Sequence, residues 1–149
     1  MSKRGKAPQL NLRASRDLKP TPENKISISL RHLTKNKQHN FEFFGAKDFR
    51  KKAQVFDQLF KFLQRLTAKT QLEISTLSKT DDCGFEQIPF QQIKFKPDGT
   101  TLGQDTKIWV FRFGDNVSGG DYRLLSFFED KHPVLNIIGF DFDYSAYKH

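Results

Sequence analysis

Apolar and polar positions alternate along several short stretches of the chain, and this alternation predicts strands. In KISISLRHL, which begins at Lys25, the side chains of Ile26, Ile28 and Leu30 fall on one face, as is typical of a half-buried strand. Residues 40–44 (NFEFF) predict a second short strand, and residues 91–95 (QQIKF) predict an edge strand. Residues 72–77 fit either a strand or a short helical turn.

A longer stretch, residues 46–67, repeats with a period of three to four residues and predicts an amphipathic helix. Lysine, arginine, glutamine and aspartate occupy most of the other positions. The helix therefore has one apolar face for a sheet and one solvated, largely cationic face. The apolar positions are Phe49, Ala53, Phe56, Phe60 and Leu63, widened by Leu59 and Leu66.

The last third of the chain predicts three strands, over residues 107–113, 122–128 and 134–142. Their short connections favour antiparallel pairing, and the third is almost continuously apolar, which places it centrally. Residues 1–24 combine prolines with many cations, and we interpret them as a flexible basic arm. Residues 25–149 are predicted to form a single α+β domain, an antiparallel sheet packed against one or two helices, with a C-terminal three-strand meander.

The charge of the 149 residues is +8, and it is concentrated in the first half. A basic half attracts polyanions, of which nucleic acid is the commonest in cytoplasm. No apolar run approaches the roughly 18 residues of a membrane span. The single cysteine, Cys83, excludes an intrachain disulfide and a multi-thiolate zinc site, and we interpret it as a small packing residue. We expect a cytoplasmic protein with no membrane partner, no metal site and no cofactor.

Two arginines interrupt apolar strands and are candidates for phosphate contacts. Arg112 and Arg123 each lie in a predicted strand of the meander. A planar guanidinium group matches the geometry of phosphate oxygens better than an ammonium group does. In the alternative interpretation, each arginine pairs with a nearby carboxylate, namely Asp115, Asp121 or Asp141.

The final nine residues, 141–149, contain two carboxylates, two phenols, an ammonium group and an imidazole. Tyr147 and His149 are candidate proton donors, because tyrosine and histidine both serve as general acids in enzymes. A frayed terminus is the alternative. We interpret His32 and His39, which lie far away in sequence, as surface residues.

Residues 107–149 resemble the RelE/YoeB-like toxins of the ParE/RelE superfamily, which belong to bacterial toxin–antitoxin systems. The most specific segment is YRLLSFFEDKHPVLNIIGF, and the helix over residues 46–67 fits the family as well. The resemblance implies a metal-independent endoribonuclease that cleaves mRNA, often on the ribosome, and is neutralised by an acidic antitoxin protein. It also implies that Arg123 binds the phosphate, with Lys107 and Arg112 as neighbouring cations. One departure is Asp141-Phe142-Asp143, where several relatives have a basic residue.

RNA cleavage through the substrate's own 2′-hydroxyl needs a base, a cation and an acid. The cation is assigned to Arg123 together with Arg112 or Lys107, and the acid to His149 or Tyr147. The base is open, with Asp141 the nearest carboxylate in sequence and Glu86 a looser candidate. Further RNA contacts are expected from three cations, Arg50, Lys51 and Lys148.

Two other interpretations remain open at this point. The first is a non-catalytic module that binds nucleic acid or an acidic protein through the basic N-terminal half. The second is an inactive member of the toxin family.

Overall fold

The structure is a computed structural model that describes residues 24–45, 48–114, 121–129 and 132–148. Apart from Asn24, the predicted basic arm lies outside the described residues, as does His149. The described residues form one five-stranded sheet with one long helix against it.

The predicted C-terminal meander is confirmed. It consists of β3 (Lys107–Phe113), β4 (Tyr122–Phe128) and β5 (Val134–Asp141), paired antiparallel in this order. Strand β2 (Phe85–Pro89) pairs antiparallel with β3 at one edge. Strand β1 (Ser27–Ser29) pairs with β5 at the other edge, and this pairing is parallel. The α+β prediction is therefore confirmed, the sheet is mostly antiparallel, and β5 lies inside it as expected.

The long helix, α1 (Phe49–Thr67), lies within the predicted range and contains neither glycine nor proline. Its buried side chains are Val55, Leu59, Phe62 and Leu66. Phe62 lies 6.0 Å from Phe111 and 6.3 Å from Phe113, measured between ring centroids. Packing against these strand aromatics fixes which side of α1 faces the sheet.

The predicted stripe of α1, the apolar positions expected to face the sheet, is correct only in part. Leu59 and Leu66 are buried, whereas Phe49 and Phe60 are 66% and 65% exposed. The prediction centred the contact on Phe49, Ala53, Phe56, Phe60 and Leu63, of which Phe56 and Leu63 are only partly buried and the other three are exposed. The helix is instead rotated so that Val55 and Phe62, which the stripe omitted, meet the sheet.

Two predicted strands are absent from the described residues, and a third stretch is helical. Residues 40–44 form turns, in which the side chain of Asn40 accepts a hydrogen bond from the Glu42 N–H. Residues 91–95 begin in a short 3₁₀ turn (Phe90–Gln92), and the edge strand is the preceding β2. Residues 72–77 contain the short helix α2 (Gln71–Ser75), which begins with a capping box formed by Thr70 and Glu73.

The sheet has two covered faces. The helix face packs against α1 and includes Phe111, Phe113, Leu124 and Phe140. The tail face includes Ile108, Val110, Leu125 and Ile138, and it is covered partly by residues 143–148, which we call the tail. Ala146 and Tyr147 of the tail are buried in this second apolar cluster. The side chains of β3 and β4 therefore alternate between the two faces.

The expectation that His32 and His39 are surface residues is wrong. His39 is buried, and its Nδ1 lies 3.0 Å from the Phe140 carbonyl oxygen. Its ring stacks on Phe95 at a centroid distance of 4.6 Å. His32 is also buried, with Nδ1 2.8 Å from the carbonyl oxygen of Asp98. Both imidazoles satisfy loop or strand carbonyls, a role that the local sequence pattern does not reveal.

Candidate functional site

Arg123 is the centre of a polar cluster on the tail face of the sheet. It pairs across the strands with Arg112 on one side and with Asp141 on the other. Arg123 is 5% exposed, whereas Arg112 is exposed. The meander thus brings two arginines and a carboxylate to neighbouring positions on three strands.

The guanidinium group of Arg123 is incompletely satisfied. Its Nη2 lies 3.7 Å from Asp121 Oδ2, and its Cζ lies 5.0 Å from the centroid of the Tyr144 ring. The buried Nε and Nη1 atoms have no hydrogen-bond partner among the described residues. Leaving donors of a charged group unpaired in the interior costs free energy. A buried arginine side chain with unpaired N–H donors is suited to bind an anion.

The tail is held over Arg123 by its own turn. Asp141 is 1% exposed, and its Oδ1 accepts hydrogen bonds from the backbone N–H groups of Ser145 and Ala146. Tyr144 lies in the left-handed region, with φ of 63°, and its hydroxyl donates to Asp121 Oδ2 at 3.2 Å. A non-glycine residue in that region is strained by roughly 1–2 kcal/mol. Asp141 therefore anchors the tail, while Tyr144 covers the arginine at a conformational cost.

Tyr147 connects the tail to strand β2 at the far side of the cluster. Its hydroxyl donates a hydrogen bond to Glu86 Oε1 at 2.9 Å, and the residue is 4% exposed. Burial and the hydrogen bond to Glu86 both raise the pKa of Tyr147 well above its usual value. The phenol is therefore protonated at neutral pH, with its proton directed at the Glu86 carboxylate.

The charge state of Arg123 is also fixed by its surroundings. Burial acts to lower the pKa of Arg123, but interactions with Tyr147, Asp121 and Tyr144 outweigh burial and raise it. The guanidinium group remains cationic at every accessible pH.

A shallow hollow lies beside Arg112 on the same side of the sheet. Its lining includes Arg112, Glu86 and Lys79, and Lys79 Nζ lies 3.8 Å from Glu86 Oε2. Both of these latter side chains are partly solvated, so the ion pair is weak. The Glu86 side chain, which holds Tyr147, is partly exposed to solvent at this position.

The structure separates several predicted residues from this cluster. Lys107 lies on β3 five residues before Arg112, about 17 Å along the strand, and alternation places it on the opposite face. Arg50 and Lys51 belong to α1 and lie over the helix face; Lys51 Nζ is 5.9 Å from the Tyr122 ring centroid. Lys148 is exposed next to Tyr147. His149 is outside the described residues.

Sequence reasoning underestimated Glu86 and did not single out Tyr144. Glu86 lies 61 positions before Tyr147, so only the fold reveals their hydrogen bond. Tyr144 was visible as one of two phenols near the C-terminus, but its position over Arg123 depends on the turn that Asp141 anchors. No local pattern specifies such a turn in advance.

Comparisons of the chain with family models, curated proteins and solved structures found no match. Within the described ranges, no group of three or more histidine, cysteine, aspartate or glutamate side chains is placed to bind a metal ion. No helix in these ranges is long and apolar enough to cross a membrane. The functional hypothesis therefore depends on the resemblance seen in the sequence and on the geometry around Arg123.

Proposed function

We propose that the protein is a metal-independent endoribonuclease of the RelE-like toxin type, acting on mRNA at the tail face of the sheet. The observation that carries this proposal is the incompletely satisfied guanidinium group of Arg123. Arg112 pairs with it across the strands, and Tyr147, which donates a hydrogen bond to Glu86, acts on its pKa. These groups supply the cation, acid and base that 2′-hydroxyl attack requires. Ribosome-bound mRNA is the substrate form that the family resemblance favours.

In the proposed reaction, Glu86 takes the proton of the 2′-hydroxyl as its oxygen bonds to phosphorus. The bond from phosphorus to the 5′-oxygen then breaks, and Tyr147 gives its proton to that oxygen. The phenolate recovers a proton from Glu86 along their hydrogen bond, which returns both groups to their initial states. The products are a 2′,3′-cyclic phosphate and a 5′-hydroxyl end.

The roles of the carboxylates follow from their contacts. Asp141 is buried, and its Oδ1 accepts two backbone N–H groups of the tail, so it serves as an anchor and not as the base. Glu86 is partly exposed at the hollow beside Arg112. Arg123 with the exposed Arg112 would bind the phosphate, because paired guanidinium groups stabilise the charge that grows on its oxygens.

Substrate access requires Tyr144 to leave the face of Arg123. The contacts that hold it include a hydrogen bond to Asp121 and a cation–π contact with Arg123, and the Tyr144 ring is half-exposed. Backbone strain at Tyr144 is relieved when the turn opens. A phosphate entering beside Arg123 would replace the Tyr144 contact with hydrogen bonds to Nε and Nη1.

The direct test uses EDTA-treated full-length protein and one oligonucleotide sequence made as RNA, as DNA and as 2′-O-methyl RNA. We expect cleavage of the RNA alone, with 2′,3′-cyclic phosphate ends detected by mass spectrometry. Glu86→Gln should reduce the rate by about 10²-fold, the size of a general-base contribution. Arg31→Met, which removes an exposed arginine elsewhere, is the matched control and should cleave normally.

The proposal fails if the RNA stays intact both free and with translating ribosomes. It also fails if the DNA or the 2′-O-methyl strand is cut as fast as RNA, because neither carries the attacking hydroxyl.

A specific observation also supports a binding function for α1. Phe49 and Phe60 are exposed on the same side of the helix, beside the cations Arg50, Lys52 and Lys61. Exposed aromatic rings next to positive charge fit an acidic amphipathic helix, a common mode of peptide recognition. We propose this surface as the docking site of the acidic antitoxin that the family resemblance implies.

A synthetic amphipathic helix with a leucine stripe and a glutamate-rich opposite face is a suitable probe. Binding should fall at least tenfold in the double variant Phe49→Ser and Phe60→Ser, whose positions are already solvated. Arg123→Met should bind the probe normally, because it lies on the other face of the sheet. Equal binding by wild type and the double variant would refute this surface.

A further inference from the structure

A second concave surface lies next to the tail and is not used by the reaction above. It is an open groove of about 350 Å³ formed by the segment between β2 and β3. That volume is at the lower end of the roughly 300–1,000 Å³ found for small-molecule sites. Its side chains are of three kinds, aromatic or aliphatic, amide, and cationic: Phe90, Ile93 and Phe95; Gln91 and Gln104; Lys94 and Lys96.

The groove is built on a rigid base. The backbone N–H groups of Phe90 and Gln91 donate to the carbonyls of Thr106 and Gln104, which closes the segment on itself. Phe95 is buried and lies against β5 at Gly139, where an added Cβ would come within 2.5 Å of the ring. The apolar part of the groove is therefore preformed, and binding there requires little ordering.

The groove adjoins the candidate active site through the tail. The backbone N–H of Lys94 donates to the carbonyl of Ala146 at 2.8 Å, and Ala146 directly precedes Tyr147. The groove therefore borders the part of the tail that carries Tyr147.

The three kinds of side chain match the face of a base, the edge of a base and the phosphate groups of a nucleotide. A partly exposed ring such as Phe90 can stack on a base, and such stacking is worth roughly 1–3 kcal/mol per base with little sequence preference. The exposed amides of Gln91 and Gln104 can both donate to and accept from base edges. The exposed ammonium groups of Lys94 and Lys96 can neutralise the adjoining phosphates.

We infer that this groove is a subsite for one nucleotide of single-stranded RNA, on the same strand as the scissile phosphate but away from it, because the groove closes on Thr106 at the end of β3 opposite to Arg112. The inference rests on the proposed function for its substrate class and adds the location where this more distant nucleotide binds. A single strand is required, because the base must be unstacked from its neighbours to enter a groove of this size. The site would hold the strand in register with Arg123 and Tyr147.

Binding is measured with a 2′-O-methyl RNA hexamer, which lacks the attacking hydroxyl and stays intact. We expect the double variant Lys94→Gln and Lys96→Gln to bind at least tenfold more weakly. Its slope of log affinity against log salt should be smaller by about 1.4, since each lost phosphate contact on a single strand removes about 0.7. The matched control, Lys25→Gln with Lys69→Gln, removes the same charge beside the C-terminal end of α1, away from both proposed binding surfaces, and should leave both values unchanged.

The aromatic contribution is tested with Phe90→Leu, which keeps an apolar side chain and removes the stacking surface. We expect a loss of about fivefold or more in hexamer affinity, with an unchanged unfolding midpoint. In NMR spectra, the side-chain amide signals of Gln91 and Gln104 should shift on titration with the hexamer.

Equal hexamer affinity in wild type and the lysine double variant would overturn the inference, as would unshifted amide signals. Tighter binding of an acidic peptide at the same amide groups would also overturn it, by assigning the groove to a protein partner. Hexamer binding does not depend on cleavage. An inactive protein that binds the hexamer in the groove would refute the nuclease while supporting the subsite.

Discussion

The two faces of the same sheet are stabilised in opposite ways. On the helix face, aromatic rings from α1 and the strands contact one another, as Phe62 does with Phe111 and Phe113. On the tail face, a short tail covers a buried arginine and a buried carboxylate, Arg123 and Asp141. The strands that supply both faces are the same ones, and their side chains simply alternate between the two environments.

The contrast between apolar packing on one face and a buried charge on the other predicts different roles for the two faces. Apolar contacts on the helix face lower the free energy of the folded state without demanding exact partners. A buried cation with unpaired donors raises that free energy, so its presence on the tail face calls for a reason other than packing. Removing side chains from the two faces should therefore have separable effects on stability and on RNA cleavage.

The largest effect on stability is expected on the helix face. Phe62→Ala removes a ring that is 1% exposed and should lower the free energy of unfolding by about 3–5 kcal/mol. Phe60→Ala, two positions earlier and exposed, is the control and should change it by less than about 0.5 kcal/mol. Urea unfolding followed by circular dichroism measures both. Similar losses for the two variants would contradict the observed rotation of α1.

Arg123→Met, on the tail face, is expected to have a small effect on stability and a large effect on RNA cleavage. Stability should stay within about 1 kcal/mol of wild type, because an apolar side chain of similar length replaces an unsatisfied buried charge. RNA cleavage should fall by about 10²–10³-fold, the cost of removing a group that stabilises charge in the transition state. A loss of several kcal/mol in unfolding free energy would instead make Arg123 a structural anchor of the tail.

A smaller effect is expected from Tyr147→Phe, which removes the hydrogen bond to Glu86. Unfolding free energy at pH 7 should fall by about 1 kcal/mol. The folded protein holds the Tyr147 proton more tightly than the unfolded chain, because folding raises the pKa of this phenol. In wild type, this contribution is complete below the unfolded pKa of about 10 and is lost as pH rises through the higher folded pKa.

The alkaline loss that Tyr147 causes should be missing from Tyr147→Phe. Urea midpoints measured between pH 7 and pH 11 should therefore converge for the two proteins at the alkaline end. Parallel curves would show that the buried phenol is not the group responsible.

The smallest stability effect is expected from Tyr144→Gly. Relief of the left-handed backbone strain, about 1–2 kcal/mol, offsets the lost cation–π contact and hydrogen bond. Unfolding free energy should change by less than about 1 kcal/mol, while cleavage by the opened site should rise severalfold. A fall in cleavage rate would show that Tyr144 assists the substrate and does not cover its site.

Much of the fold followed from local pattern. The three meander strands begin at the predicted residues, and the third ends within one residue of its predicted limit, because period-two alternation and short turns leave few alternatives.

The rotation of α1 about its own axis could not be predicted from the sequence. Its apolar positions extend around so much of the helix that two different faces fit them. Contact with Phe111 and Phe113 selects the face that carries Phe62.

The sequence by itself determined that Arg112 and Arg123 lie on neighbouring antiparallel strands and that phenols and carboxylates follow them closely. Only the tertiary structure decided that the tail folds back across the sheet, joins Tyr147 to Glu86 and leaves Arg123 buried beneath Tyr144. The alternation of apolar and polar residues and the length of turns involve only a few neighbouring residues, so the local sequence specifies them. The path of the tail depends on contacts between positions up to 107 residues apart, and these contacts form only once the sheet has brought the segments together.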